Sequence, residues 1–222
     1  MVAPNAVAAK TMAGDHTMMS EARPPRFILA SASPRRCELL RTHGYRFEVI
    51  PSRIDESTVP ADNRSPAALA EHLSLCKARD VASRLRNGVV LAGDTIVALN
   101  DRIIGKPADR EDARRILLTL TGTRHEVITG VALVNASTGA ERVAHDRTVV
   151  EMRAMSDADL EAYLDGGAWR GKAGAYGIQD EGDRFVTQLE GSFTNVVGMP
   201  MALVARLLSD WGISPAAIRE SS

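Results

Sequence analysis

Short apolar runs alternate along this chain with amphipathic stretches, and each change of period falls at a recognisable punctuation mark. RFILA, from Arg26 to Ala30, is bounded by Pro25 and Ser31 and suits a buried strand. Ser33-Pro34 then offers an N-cap followed by proline at the first helical position, and Gly44 stops that helix. YRFEVIPS alternates Tyr45, Phe47 and Val49 on one face, a strand pattern leading into a polar loop with Asp55 and Glu56. Ser65-Pro66 repeats the helix start, with Leu69, Leu73, Cys76, Val81 and Leu85 as an apolar stripe ending before Gly88. VVLA predicts a second buried strand closing on Gly93-Asp94-Thr95, and IVALNDRII a hairpin turning at Asn100-Asp101. An acidic-start helix follows from about Asp109 to Leu120.

Farther along, two β-rich runs between Arg124 and Arg153 flank NASTG, the pattern of a long hairpin. Ser156 with Asp159 resembles a capping box for a helix that ends at Gly166-Gly167. A glycine-rich segment from Gly171 to Gly198 precedes an amphipathic helix from about Pro200 to Trp211. Strands and helices alternate early and hairpins come later, so the expected fold is α/β with an elongated mixed sheet flanked by helices. No repeat or low-complexity linker divides the chain, and residues 26–212 are expected to form one domain with two lobes, between a flexible extension over 1–25 and a tail over 213–222.

Composition narrows the function classes. With 222 residues and 45% hydrophobic content the chain can bury a substantial core, and a formal charge of −1 confines any cationic patch to one locality. That balance, with 4% aromatic residues, argues against a nucleic-acid partner. Cys37 and Cys76 lack the spacing of a zinc site or disulfide framework, fit a reducing cytoplasm and are expected to be small structural side chains. No apolar run reaches the length of a signal peptide's core or a membrane span, so a soluble cytoplasmic protein without a membrane partner is expected.

The candidate chemistry gathers in a few stretches. In LASASPRRCELL, Leu29 to Leu40, a strand delivers Ser31 and Ser33 to a helix start whose unpaired N–H groups attract anions. Arg35 and Arg36 stand in the first turn, where the helix dipole disfavours cations, a placement that a bound polyanion offsets; a plain Ser-Pro cap with two solvated arginines is the competing reading. Asp94 is expected to emerge at a strand's end, and Lys106 in GKP returns a cation after the hairpin. Lys77 lies one residue off the helical stripe, where most lysines are solvated. Glu56 is a second carboxylate, and two carboxylates beside phosphate-binding cations suit Mg²⁺. His125, alone among strand signals, reads as structural. GKAGAYGIQD brings Lys172, Tyr176 and Gln179 among glycines that permit close backbone approach, and Gln179 offers the donor and acceptor a base edge needs. Neither G-x-G-x-x-G nor Walker A occurs, so a nucleotide would need another phosphate cradle.

Taken together, LASASPRRCELL, GDTIV, GKPADREDARRILLTLTGTRHEVITGVAL and GKAGAYGIQDEGDRFVTQLEGSFTNVVGMP resemble the Maf family of nucleoside triphosphate pyrophosphatases over about Arg26 to Leu208. The resemblance implies hydrolysis between the α- and β-phosphates to monophosphate and pyrophosphate, with a divalent metal, usually Mg²⁺ with Mn²⁺ as the alternative, in a two-lobed α/β fold that is often dimeric. It puts Ser31, Ser33, Arg35 and Arg36 on the phosphate-binding turn, Glu56 and Asp94 on the acidic positions that hold metal, and Lys77 and Lys106 on the family's lysines. Asp94 matches the general base. The Asp-Thr pair and the glutamine after YGI are similar to the branch favouring dTTP and UTP, with Arg35 or Arg36, Thr95 and Gln179 tuning base choice; a sister branch prefers 7-methyl-GTP. Gly167-Ala168-Trp169 departs from a common Gly-Glu-Pro, removing an acidic side chain from the far wall of the cleft. A non-catalytic nucleotide sensor acting in cell division is the rival from another class.

Overall fold

A computed structural model describes residues 25–59, 64–179 and 184–216. The expected extension over residues 1–25 therefore lies, except for Pro25, outside the described residues, as does the end of the tail from 217 onward. The elements run β1 (Phe27–Leu29), α1 (Pro34–Thr42), β2 (Glu48–Val49), a 3-10 turn at Glu56–Thr58, α2 (Pro66–Ala82), β3 (Val89–Leu99), β4 (Arg102–Ile104) and α3 (Arg110–Leu120). There follow β5 (Arg124–Asn135), β6 (Glu141–Met152), α4 (Asp157–Gly166), a 3-10 turn at Ala173–Ala175, β7 (Val186–Glu190), α5 (Phe193–Val197) and α6 (Met201–Ser209).

The strands form one mixed seven-stranded sheet, ordered β2-β1-β3-β5-β6-β7 with β4 paired to β3. β1 is parallel to β2 and β3, and the remaining pairs are antiparallel. This is the expected α/β class. The hairpin turns at Asn100 and Asp101, whose φ values of 51° and 62° are the left-handed pair that a two-residue turn requires.

Strand alternation splits the core between two faces. Even positions of β3, from Val90 to Ile96, pack with β5 under α2. Its odd positions serve the other face, where Val89 and Leu91 join α1 and α6 while Val97 joins α3 and α4. α2 lies close to the sheet: a Cβ at Gly130 would stand 2.2 Å from the carbonyl oxygen of Ala70. That approach admits no side chain larger than hydrogen. Ser65 Oγ caps α2 by accepting from Ala68 N–H at 3.3 Å. Ile213 is buried with the α1–α6 cluster, and Ala216 N–H donates to the Gly44 carbonyl at 2.9 Å.

Several local expectations shift. β3 is a single strand of 11 residues, so Asp94 sits mid-strand rather than at a strand's end. No glycine-proline pair interrupts it, and the polar Asp94-Thr95 pair that read as a terminus is carried within the ladder. β2 keeps only two residues and leaves Val49 exposed, because it is an edge strand paired to β1 alone. β7 arises inside the glycine-rich segment by pairing with β6. Among the described residues no helix is long and apolar enough to cross a membrane.

Candidate active site

The site occupies a gap in the sheet. β1 pairs with β3 only at Val89 to Leu91, and β4 takes the same edge only from Val97, leaving Gly93 to Ile96 without a strand on that side. Side chains from both faces of β3 therefore reach one space: Asp94 from the α2 face and Thr95 from the opposite one. A cleft enclosing about 820 Å³ of atom-free space, partly open to solvent, lies there.

The turn after β1 supplies one wall. Ser33 precedes α1 without a side-chain cap, its own N–H donating instead to Ser31 Oγ at 3.2 Å. Arg35 lines the cleft. Arg36 is held by three partners: its Nε donates to the Gly198 carbonyl at 2.8 Å, and its terminal nitrogens to Thr95 Oγ1 at 3.1 Å and Ser31 Oγ at 3.3 Å. Burial lowers the Arg36 pKa from the ordinary arginine value, while the charges of Asp94 and Glu56 raise it. Thr95 is fixed in turn by Thr129 Oγ1 at 3.0 Å, and Thr129 donates to the main-chain oxygen of Asn195 at 3.0 Å. A polar chain thus runs from Arg36 through two threonines to α5.

The α2 face supplies the acids and lysines. Lys77 is only 9% exposed and Asp94 5%. Lys77 occupies the buried stripe of α2, in step with Leu73, Ser74, Ala78 and Val81, which corrects its expected place beside the stripe. Its Nζ donates to Asp94 Oδ1 at 2.5 Å and to Glu56 Oε1 at 2.6 Å, while Lys106 Nζ donates to Glu56 Oε2 at 2.7 Å. Burial alone would raise the Glu56 pKa, but hydrogen bonds from Lys106 and Lys77 and their charges outweigh it and draw the carboxyl down to about 2.

Gln179 stands exposed at the rim. Of the ten residues to which the sequence gave a role in phosphate, metal or base binding, nine line this cleft, and Ser31 braces it through Ser33 and Arg36. The sequence did not single out Val97, Val127, Ile178, Val196 and Val197, the apolar floor. Their signal, valines of ordinary strands and a helix and one isoleucine of a turn, is that of any core. Tyr176 also lines the cleft, and its hydroxyl meets His125 Nε2 at 2.7 Å. His125 is buried, and desolvation lowers its pKa to about 4, in keeping with a neutral structural group. Cys37 is buried and Cys76 half-buried, both as free thiols. At the departure from Gly-Glu-Pro, Trp169 turns into the core and donates from Nε1 to the Leu164 carbonyl at 2.9 Å. Gly171, Lys172 and Ala173 form the wall there, and the Lys172 ammonium donates to the Ala168 carbonyl.

The donor set suits a hard divalent ion whose shell a ligand completes. Among the described residues no group of three or more His, Cys, Asp or Glu side chains forms a metal cage. Asp94 and Glu56 nevertheless meet at one ammonium, and Mg²⁺ commonly takes one or two carboxylates plus phosphate oxygens.

Arginines, lysines and an acidic pair beside apolar side chains, set in a break of a mixed sheet, define an α/β protein whose cleft has a charge pattern suited to an extended polyanion. Residues 26–211 match the family described as Maf-like protein, and the chain belongs to that family. It is 46% identical over 188 residues to the dTTP/UTP pyrophosphatase of Moorella thermoacetica, covering 85% of this chain and 96% of that protein. The dTTP/UTP pyrophosphatases of Pelotomaculum thermopropionicum and Symbiobacterium thermophilum are 42% and 44% identical, each over 83% of this chain and over 96% and 93% of their own lengths.

Proposed function

We propose that this chain is a nucleoside triphosphate pyrophosphatase acting on dTTP and UTP, releasing nucleoside monophosphate and pyrophosphate. The observation that carries the reading is the convergence of Arg35, Arg36, Lys77 and Lys106 with Asp94 and Glu56 on one cleft. Relatives named dTTP/UTP pyrophosphatases, aligned over more than four-fifths of the chain, support it.

Arg35, Arg36, Lys77 and Lys106 bind the triphosphate, whose oxygens compete with Glu56 for the two lysines. Asp94 accepts a proton from, or orients, the water that attacks the α-phosphorus. One P–O bond forms to that water and the bond to the bridging oxygen breaks, so the electron pair departs with pyrophosphate, already neutralised by the cations. Asp94 and Glu56 would hold a divalent ion, Mg²⁺ by its preference for oxygen donors, which would supply charge compensation on the phosphoryl oxygens when bound. Ser31 and Ser33 shape the phosphate turn, while Thr95 and Gln179, with Arg35 or Arg36, select the base. Residues 26–212 act as the one domain that carries both walls.

The test is a panel of canonical and modified triphosphates, 7-methyl-GTP among them, assayed with Mg²⁺ for both monophosphate and pyrophosphate. Equimolar monophosphate and pyrophosphate from dTTP and UTP is the expected result. Binding of triphosphates without release of pyrophosphate would establish the sensor instead, and orthophosphate as first product would place the cut elsewhere.

A further inference from the structure

Thr95 and Thr129 stand opposite each other in the β3–β5 ladder, so their side chains share one face of the sheet. Their hydroxyl oxygens lie 3.0 Å apart, a contact in which either could donate. The surroundings decide which one does. Thr129 is fully buried, and its Oγ1 also stands 3.0 Å from the main-chain oxygen of Asn195, which can only accept. A hydroxyl carries one hydrogen, so Thr129 gives its own to Asn195 and accepts from Thr95. The reverse orientation would set Thr129 lone pairs against a carbonyl oxygen and leave that contact unmade, a costly arrangement where water does not reach.

The far end of this chain is held fast. Asn195 is buried, its Nδ2 donates to the Val127 carbonyl and to Thr148 Oγ1, both at 2.9 Å, and its N–H donates to Ser192 Oγ at 3.2 Å. Hydrogen-bond direction therefore passes from α5 to the cleft. Thr95 Oγ1 gives its hydrogen to Thr129 and one lone pair to an Arg36 terminal nitrogen, leaving one lone pair and no hydrogen for a ligand. Arg36 spends three of its five N–H groups on Gly198, Ser31 and Thr95, and the other two sit on its terminal nitrogens. Both residues line the cleft, so a donor and an acceptor stand side by side on its wall. That pair complements a carbonyl next to an N–H, as at O4 and N3 of uracil and thymine. Cytosine presents N3 as an acceptor, and there lone pair would meet lone pair.

Resting on the pyrophosphatase reading above, with Thr95 at the base, we propose that Thr129 is a positioning residue that sets base specificity. By taking the Thr95 hydrogen it makes Thr95 an acceptor alone, which admits the N3–H of uracil or thymine and rejects cytosine. Thr129 itself does not line the cleft and acts only through its neighbour. Guanine repeats the same order at O6 and N1–H, so this wall discriminates against cytosine and not against guanine.

Thr129→Val keeps the side chain's shape and removes its hydroxyl, so Thr95 can turn its hydrogen toward the cleft. Competition between dTTP and dCTP in one reaction, read as the two monophosphates released, should show a wild-type preference for dTTP that falls about tenfold in Thr129→Val, chiefly through a gain on dCTP. Thr129→Ser should keep the wild-type ratio. A ratio taken within one sample does not depend on how much of the protein is folded. An unchanged ratio in Thr129→Val, an equal loss on both substrates, or a Thr129→Ser ratio as low as that of the valine variant overturns the proposal. Calorimetric titration with the non-hydrolysable α,β-imido analogues of dTTP and dCTP and Mg²⁺ makes the same comparison without turnover. A wild type that releases no pyrophosphate yet binds the thymine analogue more tightly, in a Thr129-dependent way, defeats the pyrophosphatase reading alone. One that releases pyrophosphate equally from dTTP and dCTP defeats the role of Thr129 alone, and one that binds neither analogue defeats both.

Discussion

At the residue scale the site is a competition among charges. Lys77 is shared between two carboxylates, and Asp94, 5% exposed, has that ammonium as its close cationic partner. Asp94→Asn preserves shape and a hydrogen-bond acceptor, so melting should change little while pyrophosphate release drops about a thousandfold, the usual worth of a positioned base. Steady-state turnover beside a thermal melt separates the two. Gln179 at the rim touches the base rather than the phosphates in this reading. Gln179→Ala should therefore narrow the ratio of dTTP to dCTP or dGTP specificity by roughly tenfold, one hydrogen bond's worth, and leave the best substrate's turnover nearly intact. Competition assays with paired substrates read that ratio directly.

Among the elements, α2 and the β3–β5 pair matter most, because the distance between them sets where Lys77 meets Asp94. Gly130 is the spacer: any Cβ there would stand 2.2 Å from Ala70 O. Gly130→Ala should lift α2, cost ~3 kcal/mol by overpacking and lower activity together with stability, as urea denaturation and turnover would show. The start of α1, the cap at Ser65 and the turn at Asn100-Asp101 follow from local chemistry, and they stand where the residue types put them. Lys77 does not, because a lysine in the register of Leu73, Ala78 and Val81 carries no local sign that its stripe faces carboxylates rather than apolar side chains. β7 is hidden for a similar reason: VTQLE alternates weakly and becomes a strand by pairing to β6.

For the whole molecule, acidification removes stability in two successive windows. His125 has a folded pKa of about 4 against 6.5 when unfolded, so the unfolded chain binds the extra proton and stability falls as pH drops between those values. At about 1.4 kcal/mol per unit the loss is on the order of 3 kcal/mol, and His125→Gln should flatten that limb in pH-dependent urea titrations. Glu56, about 2 folded against 4.5 unfolded, stabilises fully above the upper value and loses its contribution as pH falls toward the lower, so Glu56→Gln should flatten only the second window.

Sequence by itself determined the class of fold, the serine-proline turn that opens α1 and the identities of the charged residues, since these depend on neighbours a few positions apart: a cap, a proline, an alternating run. Tertiary structure alone decided that β3 runs unbroken past Asp94, that β1 and β4 stop short and open its edge, and that Lys77 comes to rest between Glu56 and Asp94. Those facts depend on which strand lies beside which, and strand adjacency is set by packing between segments far apart in the chain, which no local pattern encodes.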